Sequence, residues 1–198
     1  MGNDVYVKNY AAPDINMREI MRYSGIGAKG AELDGLVLEC LEEAQDKLSY
    51  KVCYCVLPVK ISGKTVDFGV FEVESGDLAK NLEGCTRAVI FAASIGVEFD
   101  RLIRKHSILA PSKSVIFQGI GAERAESLCD VFCNEIAHEY IGVKPRFSPG
   151  YGDFPLEVQR DIFRILKPEQ RIGITLTESL LMVPSKSVTA IMGIRNKL

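Results

Sequence analysis

Tryptophan is absent from this 198-residue chain, histidine occurs only twice, and no apolar run is long enough to span a bilayer. The longest apolar run, residues 88–97, contains a serine and a glycine, whereas a membrane helix needs roughly 20 apolar residues. The 24 basic and 26 acidic side chains nearly cancel, which argues against a dedicated nucleic-acid binder. Since the N-terminus also lacks the basic and apolar regions of a signal peptide, we expect a cytoplasmic protein that does not associate with membranes.

Catalytic signatures are scarce as well. The sequence has no nucleophile elbow, no P-loop and no paired-histidine zinc motif. His106 and His138 lie outside any such pattern, and His106 falls on the apolar stripe of its predicted helix, which favours a buried histidine. We therefore expect no catalytic residues and no metal site in the chain itself, and whether it acts as part of an enzyme stays open.

The six cysteines are expected to be free thiols in the cytoplasm. Cys53 and Cys55 alternate on a predicted strand, and Cys129 and Cys133 lie one turn apart on a predicted helix. Each pair therefore shares a face, and the four thiols would form a zinc or iron–sulfur site if those faces met. Neither pair has C-x-x-C spacing, so we favour buried core thiols and keep the metal site as a rival.

A glycine cluster at residues 25–30 fits the G-x-G-x-x-G pattern of dinucleotide-binding proteins. That site requires a strand immediately before the first glycine, so that the turn delivers the pyrophosphate to a helix N-terminus. Residues 17–22 have helical character instead. We favour a connector between two helices over a nicotinamide cofactor site.

Hydrophobic periodicity predicts helices and strands in mixed order. Helices are predicted at 16–23, 33–48, 77–82, 97–106, 112–140 and 155–166, and strands at 52–59, 65–73, 88–93, 172–176 and 188–194. The turn at residues 62–64 predicts that 52–59 and 65–73 pair as a hairpin. Gly119 and Gly121 either weaken the long helix or let another element approach it closely. The pattern favours an α+β fold with a largely antiparallel sheet and flanking helices, formed as a single domain over residues 1–198.

The loop Arg146-Phe147-Ser148-Pro149-Gly150-Tyr151 has the chemistry of a binding site. Arginine offers a planar set of donors for a carboxylate or phosphate. The Pro-Gly turn exposes backbone groups and lets a ligand approach without a Cβ in the way. Tyrosine adds a flat ring and a hydroxyl group. The loop therefore suits a ligand with a carboxylate at one end and a heterocycle at the other, although a solvated surface turn is the alternative.

With this loop, the sequence resembles the activation domain of cobalamin-dependent methionine synthase, a family that carries an R-x-x-P-G-Y loop. Residues 176–188 also match its L-T-E-S-x-x-M-x-P-x-x-S-V pattern in order and spacing, and the helix at 122–140 is similar to its Ala- and Glu-rich helix. The similarity covers roughly residues 122–194. We accordingly expect residues 1–110 to form an α/β part without clear resemblance and residues 111–198 to carry the family's motifs.

The resemblance implies a binding site for S-adenosylmethionine. Arg146 would take the methionine carboxylate, and the backbone around Ser148 and Gly150, with Tyr151, would hold the adenosine. Glu126 would correspond to a helix carboxylate near the positive sulfonium, since opposite charges attract.

A solvated helix-face position is the alternative for Glu126, because Glu123, Asp130 and Glu135 share its character. The chain also departs from the family. Gly152 stands where the family commonly has proline, and the family's N-terminal acidic contact and C-terminal contact segment have no counterpart that we can place.

By resemblance, the chain is expected to be a free-standing activation domain. It would bind S-adenosylmethionine and support reductive methylation of cobalamin held by a cobalamin-dependent methionine synthase or a related corrinoid protein, because the chain lacks the D-x-H-x-x-G motif that supplies an axial histidine. An electron-donor protein such as a flavodoxin or ferredoxin is implied as a further partner. The alternative is a non-catalytic module that binds S-adenosylmethionine or a corrinoid protein and acts as a sensor or scaffold.

Overall fold

The computed structural model describes residues 4–25 and 31–195 of the chain. In chain order, its main elements are β1 (Tyr6–Tyr10), α1 (Met17–Tyr23), α2 (Ala31–Ala44), β2 (Tyr50–Pro58), β3 (Lys60–Ser62), β4 (Thr65–Asp67), β5 (Glu72–Glu74), α3 (Gly76–Asn81), β6 (Arg87–Ser94), α4 (Val97–Leu109), α5 (Pro111–Glu139), α6 (Gln159–Leu166), α7 (Pro168–Ile172), β7 (Thr175–Leu176), β8 (Met182–Val183) and β9 (Ser187–Ile194). None of the described helices is both long and apolar enough to cross a membrane.

A four-stranded sheet in the order β1-β2-β6-β9 forms the centre of the fold, and all its neighbours are antiparallel. Cys55 lies opposite Ile90, which in turn lies opposite Ile191. Because side chains alternate along a strand, the inner strands send one apolar set to each face. Helices flank the sheet on both sides, which confirms the predicted α+β class.

The long helix α5 packs on one face of the sheet, and the helices α1, α2 and α4 pack against α5. Phe132 of α5 inserts between two rings of the sheet, at centroid distances of 5.2 Å from Tyr54 and 4.8 Å from Phe91. Tilted aromatic pairs of this kind add to the stabilisation from burial. The helix is thereby fixed along the sheet, with its C-terminal end leading into the Arg146 loop.

The two glycines of α5 mark close approaches. A Cβ at Gly119 would lie 2.7 Å from the carbonyl oxygen of Ile20 and 2.9 Å from the backbone nitrogen of Ser24, so α1 packs directly on the α5 backbone. A Cβ at Gly121 would lie 2.6 Å from the Phe99 ring. Of the two interpretations of these glycines, close approach is therefore correct.

The opposite face of the sheet is covered by α6, α7 and the small sheet β3-β4-β5. The predicted hairpin of 52–59 with 65–73 is wrong: β2 pairs with β1 and β6, and β4 pairs with β3 and β5. The physical reason is burial. Six of the nine residues of β2 are buried, and they point to both faces, so the strand requires a central position that a short local partner does not provide.

The strand predicted at 172–176 is also mostly wrong. Pro168 begins the short helix α7, and its fixed φ suits the first turn of a helix. Lys167, with φ 47°, separates it from α6. Ile172 and Ile174 are both buried, but only Thr175–Leu176 forms a strand. The predicted helix at 155–166 begins as a 3-10 turn, Leu156–Val158.

Glu123 and Arg124 form a buried ion pair on α5, with each side chain about 2% exposed. Arg124 also donates to the carbonyl oxygens of Pro13 (2.6 Å) and Asp14 (2.5 Å), and Glu123 accepts from the backbone N–H of Asn16 at 3.0 Å. The pair clamps the segment before α1 onto α5. The prediction of a solvated Glu123 is therefore wrong, because this segment covers it.

Candidate functional site

The segment after α5 runs along the outer edge of β9 and places Arg146 there. Lys144 N–H donates to the Gly193 carbonyl at 2.8 Å, and Phe147 exchanges two backbone hydrogen bonds with Ile191, at 2.8 and 2.9 Å. These bonds fix the main chain on both sides of Arg146. The Phe147 ring stacks on Phe154 at 5.9 Å, so the loop is tied to the core as well as to the sheet edge.

Arg146 reaches back to α5 and joins two carboxylates there. Its Nη2 donates to Glu126 Oε2 and its Nη1 to Asp130 Oδ1, both at 2.6 Å. The Arg146 side chain is 25% exposed, whereas those of Glu126 and Asp130 are 45% and 62% exposed. The structure thus brings together Arg146 and Glu126, which the sequence analysis selected, and adds Asp130, one helical turn beyond Glu126. The spacing of four residues was the available signal for Asp130.

The Pro-Gly turn is closed by its own backbone. Gly150, with φ 93°, donates its N–H to the Phe154 carbonyl at 2.8 Å, and Tyr151 donates to the Ser148 carbonyl at 3.3 Å. The Gly150 N–H is therefore engaged within the turn, and Pro149 has none. A ligand at this turn would meet the open Cα of Gly150 and the side chain of Tyr151, which is 67% exposed.

Gly152 follows the turn with φ 55°, a left-handed conformation that proline cannot adopt because its ring fixes φ near −65°. A Cβ at this position would lie 2.1 Å from Asp77 Oδ2. The conformation of this chain at position 152 is therefore incompatible with the proline that the family commonly has there.

Asp153 anchors the end of the loop to α3. It accepts from the Ser75 hydroxyl and from the backbone N–H groups of Gly76 (2.8 Å) and Asp77 (3.1 Å), while Asp77 accepts from the Asp153 N–H at 3.2 Å. The Ser75 hydrogen bond, followed by those from the backbone, holds the pKa of the Asp153 carboxyl below its ordinary value. The N-terminal half of the chain thus fixes the position of the loop.

Two clefts lie on either side of the segment that leads to Arg146. The larger, about 770 Å³, is lined by Asp130, Asn134, Lys144 and Arg146 among others. The smaller, about 490 Å³, is lined by Lys80, Lys144, Phe147 and Tyr151 among others. Lys144 and Pro145 border both. Of the predicted site residues, Arg146 therefore lines the larger cleft and Tyr151 the smaller one.

The four cysteines of the rival metal site lie on opposite faces of the sheet. Cys53 and Cys55 face α6 and α7, whereas Cys129 and Cys133 are on α5. Burial raises the pKa of both Cys53 and Cys55 to about 12, which disfavours the thiolate that metals bind. The hypothesis of a four-thiol site is therefore wrong. Within residues 4–25 and 31–195, no group of three or more His, Cys, Asp or Glu side chains is arranged to hold a metal ion.

The two histidines and the glycine cluster are the remaining candidates from the sequence. His106 is buried, its Nε2 lies 2.9 Å from Glu43 Oε1, and its ring packs 4.8 Å from that of Phe117, which confirms the predicted buried histidine. His138 is exposed and its Nδ1 lies 2.7 Å from the Asn134 carbonyl oxygen of its own helix. Of the glycine cluster only Gly25 is described, directly after the helix α1; residues 26–30 lie outside the described residues.

Known proteins resemble this chain in sequence and in fold. The family model of the vitamin B12 dependent methionine synthase activation domain matches residues 125–197. Among solved structures, the chain is similar to the reactivation domain of MetH in its crystal structure with bound S-adenosylhomocysteine, with a TM-score of 0.75 and 14% identity. The likeness covers 98% of this chain and 79% of that one.

At this identity the structural likeness defines the class of fold: an α+β reactivation-domain fold that extends over nearly the whole chain. The family model matches the C-terminal part of the chain, and that segment contains Arg146, Glu126 and the Pro-Gly-Tyr turn. The resemblance recognised in the sequence is thereby confirmed.

Proposed function

We propose that this protein binds S-adenosylmethionine at the Arg146 loop and supports the reductive methylation of cobalamin in a cobalamin-dependent methionine synthase or a related corrinoid protein. The observation that carries the proposal is the position of Arg146, which is held by Glu126 and Asp130 at the wall of a cleft and lies within the segment that matches the activation-domain model. The reactivation domain of MetH, which has the same fold, was crystallised with S-adenosylhomocysteine. That compound is what S-adenosylmethionine becomes when it loses its methyl group.

The residues around the loop fit the parts of this ligand. Arg146 has donors for the methionine carboxylate, and Tyr151 offers its exposed ring to the adenosine, with Ser148 and Gly150 shaping the turn beside it. Glu126 places a carboxylate near the positive sulfonium. When bound, S-adenosylmethionine supplies the methyl group and its sulfur leaving group, whereas the chain binds and orients the ligand. No catalytic residue of its own is required.

Cobalamin is proposed to come from the partner protein. The sequence has no D-x-H-x-x-G motif, and neither histidine lies beside Arg146. A flavodoxin, a ferredoxin or a similar donor would supply the electron for reduction. The partner's corrinoid must approach the bound ligand in line with its methyl group, since orientation at reacting distance accounts for much of the rate.

A reactivation assay tests the proposal. A cobalamin-loaded synthase without its own activation domain is mixed with this protein, a reductant and S-adenosylmethionine, and the absorbance of the inactive cobalamin is followed. We expect that absorbance to decrease only when all components are present, and more slowly with the Arg146→Ala variant than with Arg164→Ala, an exposed arginine on α6. If the synthase reactivates equally well without this protein, the accessory role is wrong. Binding of S-adenosylmethionine without reactivation would favour the sensor or scaffold alternative.

A further inference from the structure

We infer that Asp130 on α5 determines specificity at the Arg146 site by receiving the α-ammonium group of an amino-acid ligand. The inference rests on the proposed function and adds a contact to it. Asp130 lies outside the R-x-x-P-G-Y loop, and from sequence its role was that of a solvated helix-face residue.

The first argument is geometric. Arg146 lies between two carboxylates on consecutive turns of α5, with Asp130 at 2.6 Å from Nη1 and Glu126 at 2.6 Å from Nη2. Asp130 and Arg146 both line the 770 Å³ cleft, with Asn134 one turn further along the helix. The cleft thus presents a cation and an anion side by side, held together by a charge-assisted hydrogen bond.

The second argument is chemical. An α-amino acid carries its carboxylate and its ammonium group on one carbon, so its receptor needs a cation and an anion at neighbouring positions. A guanidinium has five N–H donors. Arg146 gives one to each of the two carboxylates and makes a longer contact, 4.0 Å, from Nη1 to Cys133 Sγ, which still leaves donors for a ligand carboxylate. Among the contacts of the described residues, Asp130 accepts from Arg146 through Oδ1, so Oδ2 can accept from an ammonium group.

The third argument is the local charge. Among the described residues that line the cleft, Asp130 is the acidic one and lies beside the cations Lys144 and Arg146, so it is the group there that attracts an ammonium. Asp130 is 62% exposed, so water screens its interaction. We therefore expect about a tenfold change in affinity from this contact, at the lower end for a charged hydrogen bond.

The test uses calorimetry with three ligands: S-adenosylhomocysteine, its deamino analogue without the ammonium group, and 5′-methylthioadenosine, which lacks the whole amino-acid part. We expect Asp130→Asn to weaken the binding of S-adenosylhomocysteine about tenfold and to abolish the wild-type preference for it over the deamino analogue. Methylthioadenosine should bind within about twofold of its wild-type affinity. Glu139→Gln, the same charge change at an exposed position of the same helix, is the matched control and should alter none of the three affinities by more than about twofold.

Two outcomes would overturn the inference. If Asp130→Asn weakens S-adenosylhomocysteine and the deamino analogue equally, Asp130 only positions Arg146. If the variant binds S-adenosylhomocysteine more tightly, Asp130 competes with the ligand for Arg146. The thermal unfolding midpoints of the variants are compared with that of the wild type. Equal midpoints show that a loss of affinity does not come from a loss of folded protein. Failure of the wild type to bind any of the three ligands would instead contradict the proposed function itself.

Discussion

At Arg146, the electrostatics of a single side chain are set by the helix that it faces. Burial on its own lowers the pKa of the guanidinium, but the hydrogen bonds to Asp130 and Glu126 outweigh burial and raise the pKa above its ordinary value. The side chain is therefore charged at every physiological pH and fixed in orientation. A preformed donor group of this kind loses little conformational freedom when a ligand binds.

Substitution of Arg146 tests its part in ligand binding. We expect Arg146→Ala to weaken the binding of S-adenosylmethionine by about 1.5–3 kcal/mol, the range for a lost charged hydrogen bond. Arg146→Lys should restore only part of the loss, because one ammonium group does not reproduce the planar guanidinium. Titration calorimetry measures both, with Arg164→Ala as the control. Equal affinity of all three variants would rule out Arg146 as a ligand residue.

Glu126 is expected to distinguish charged from neutral ligands. If its carboxylate faces the sulfonium, Glu126→Gln weakens the binding of S-adenosylmethionine more than that of S-adenosylhomocysteine, whose sulfur is neutral. The difference should be modest, about 0.5–1 kcal/mol, because Glu126 is 45% exposed and water and salt screen the pair. The same calorimetric series measures it, and equal losses for the two ligands would show that Glu126 acts only through its ion pair with Arg146.

Gly152 and Gly173 allow backbone strain to be separated from a steric contact. Both have positive φ, 55° and 74°, but a Cβ at Gly173 would meet nothing within 4 Å, whereas one at Gly152 would meet Asp77. We expect Gly173→Ala to lower the free energy of unfolding by about 1 kcal/mol and Gly152→Ala by about 2–3 kcal/mol. Urea denaturation gives both values, and the order of the two variants is the decisive result.

At the scale of elements, α5 organises the fold and the site together. Its buried face packs on the sheet through Phe132, its N-terminal half receives α1 at Gly119, and its C-terminal half presents Glu126 and Asp130 to the loop. The packing of α5 and the geometry around Arg146 are therefore coupled. A shift of α5 on the sheet would move both carboxylates relative to Arg146, because the backbone on either side of Arg146 is hydrogen-bonded to β9 and not to the helix.

The contact between α1 and α5 gives a prediction with a built-in control. Gly119→Ala forces a methyl group against the α1 backbone at Ile20 and Ser24, so we expect a loss of about 1–3 kcal/mol in the free energy of unfolding. Gly35→Ala on α2 meets nothing within 4 Å, and should stabilise the protein by about 0.5–1 kcal/mol because alanine favours the helix. Thermal and urea denaturation measure both. If Gly119→Ala leaves the free energy of unfolding unchanged, α1 does not pack closely on α5.

At the scale of the whole molecule, the sheet is buried on both faces and separates two cores. The segment before α1 is joined to α5 through the Glu123–Arg124 pair, and α3 is joined to the Arg146 loop through Asp153. Both connections link residues more than 70 positions apart in sequence. The Arg146 loop is therefore supported by α3, which lies outside the segment that matches the family model.

The buried clamp predicts a large loss of stability when it is broken on one side. Arg124→Met leaves Glu123 charged and buried, so we expect a loss of about 3–5 kcal/mol. The double variant Glu123→Gln/Arg124→Met should recover part of the loss, because no unpaired charge remains. Urea denaturation measures both, and hydrogen exchange at residues 14–16 should accelerate in the single variant. Arg164→Met, whose partner Asp161 is exposed to solvent, should change stability by less than about 1 kcal/mol.

Several elements were predictable because their signals are local. Asn16 caps α1 through a side-chain hydrogen bond to the Glu19 N–H, and the apolar spacing of 112–140 gave α5 almost to the residue. The R-x-x-P-G-Y loop was recognisable for the same reason, since its residue types and spacing are contiguous. Of its acidic neighbours, Glu126 was selected only through the family resemblance and Asp130 was not selected, because both look like solvated helix residues until Arg146 is placed between them.

The sequence by itself determined the α+β class, the long helix, the buried character of His106 and the family resemblance, all of which depend on residue type and short-range periodicity. Only the tertiary structure decided which strands pair, that Glu123 is buried, that the two cysteine pairs lie on opposite faces, and that Arg146 joins Glu126 and Asp130. The reason is that periodicity reports which side of an element is buried but not what buries it. Partners distant in sequence are selected by the packing of the whole chain. For β2, burial on both faces outweighs the turn at residues 62–64, which favours a local hairpin.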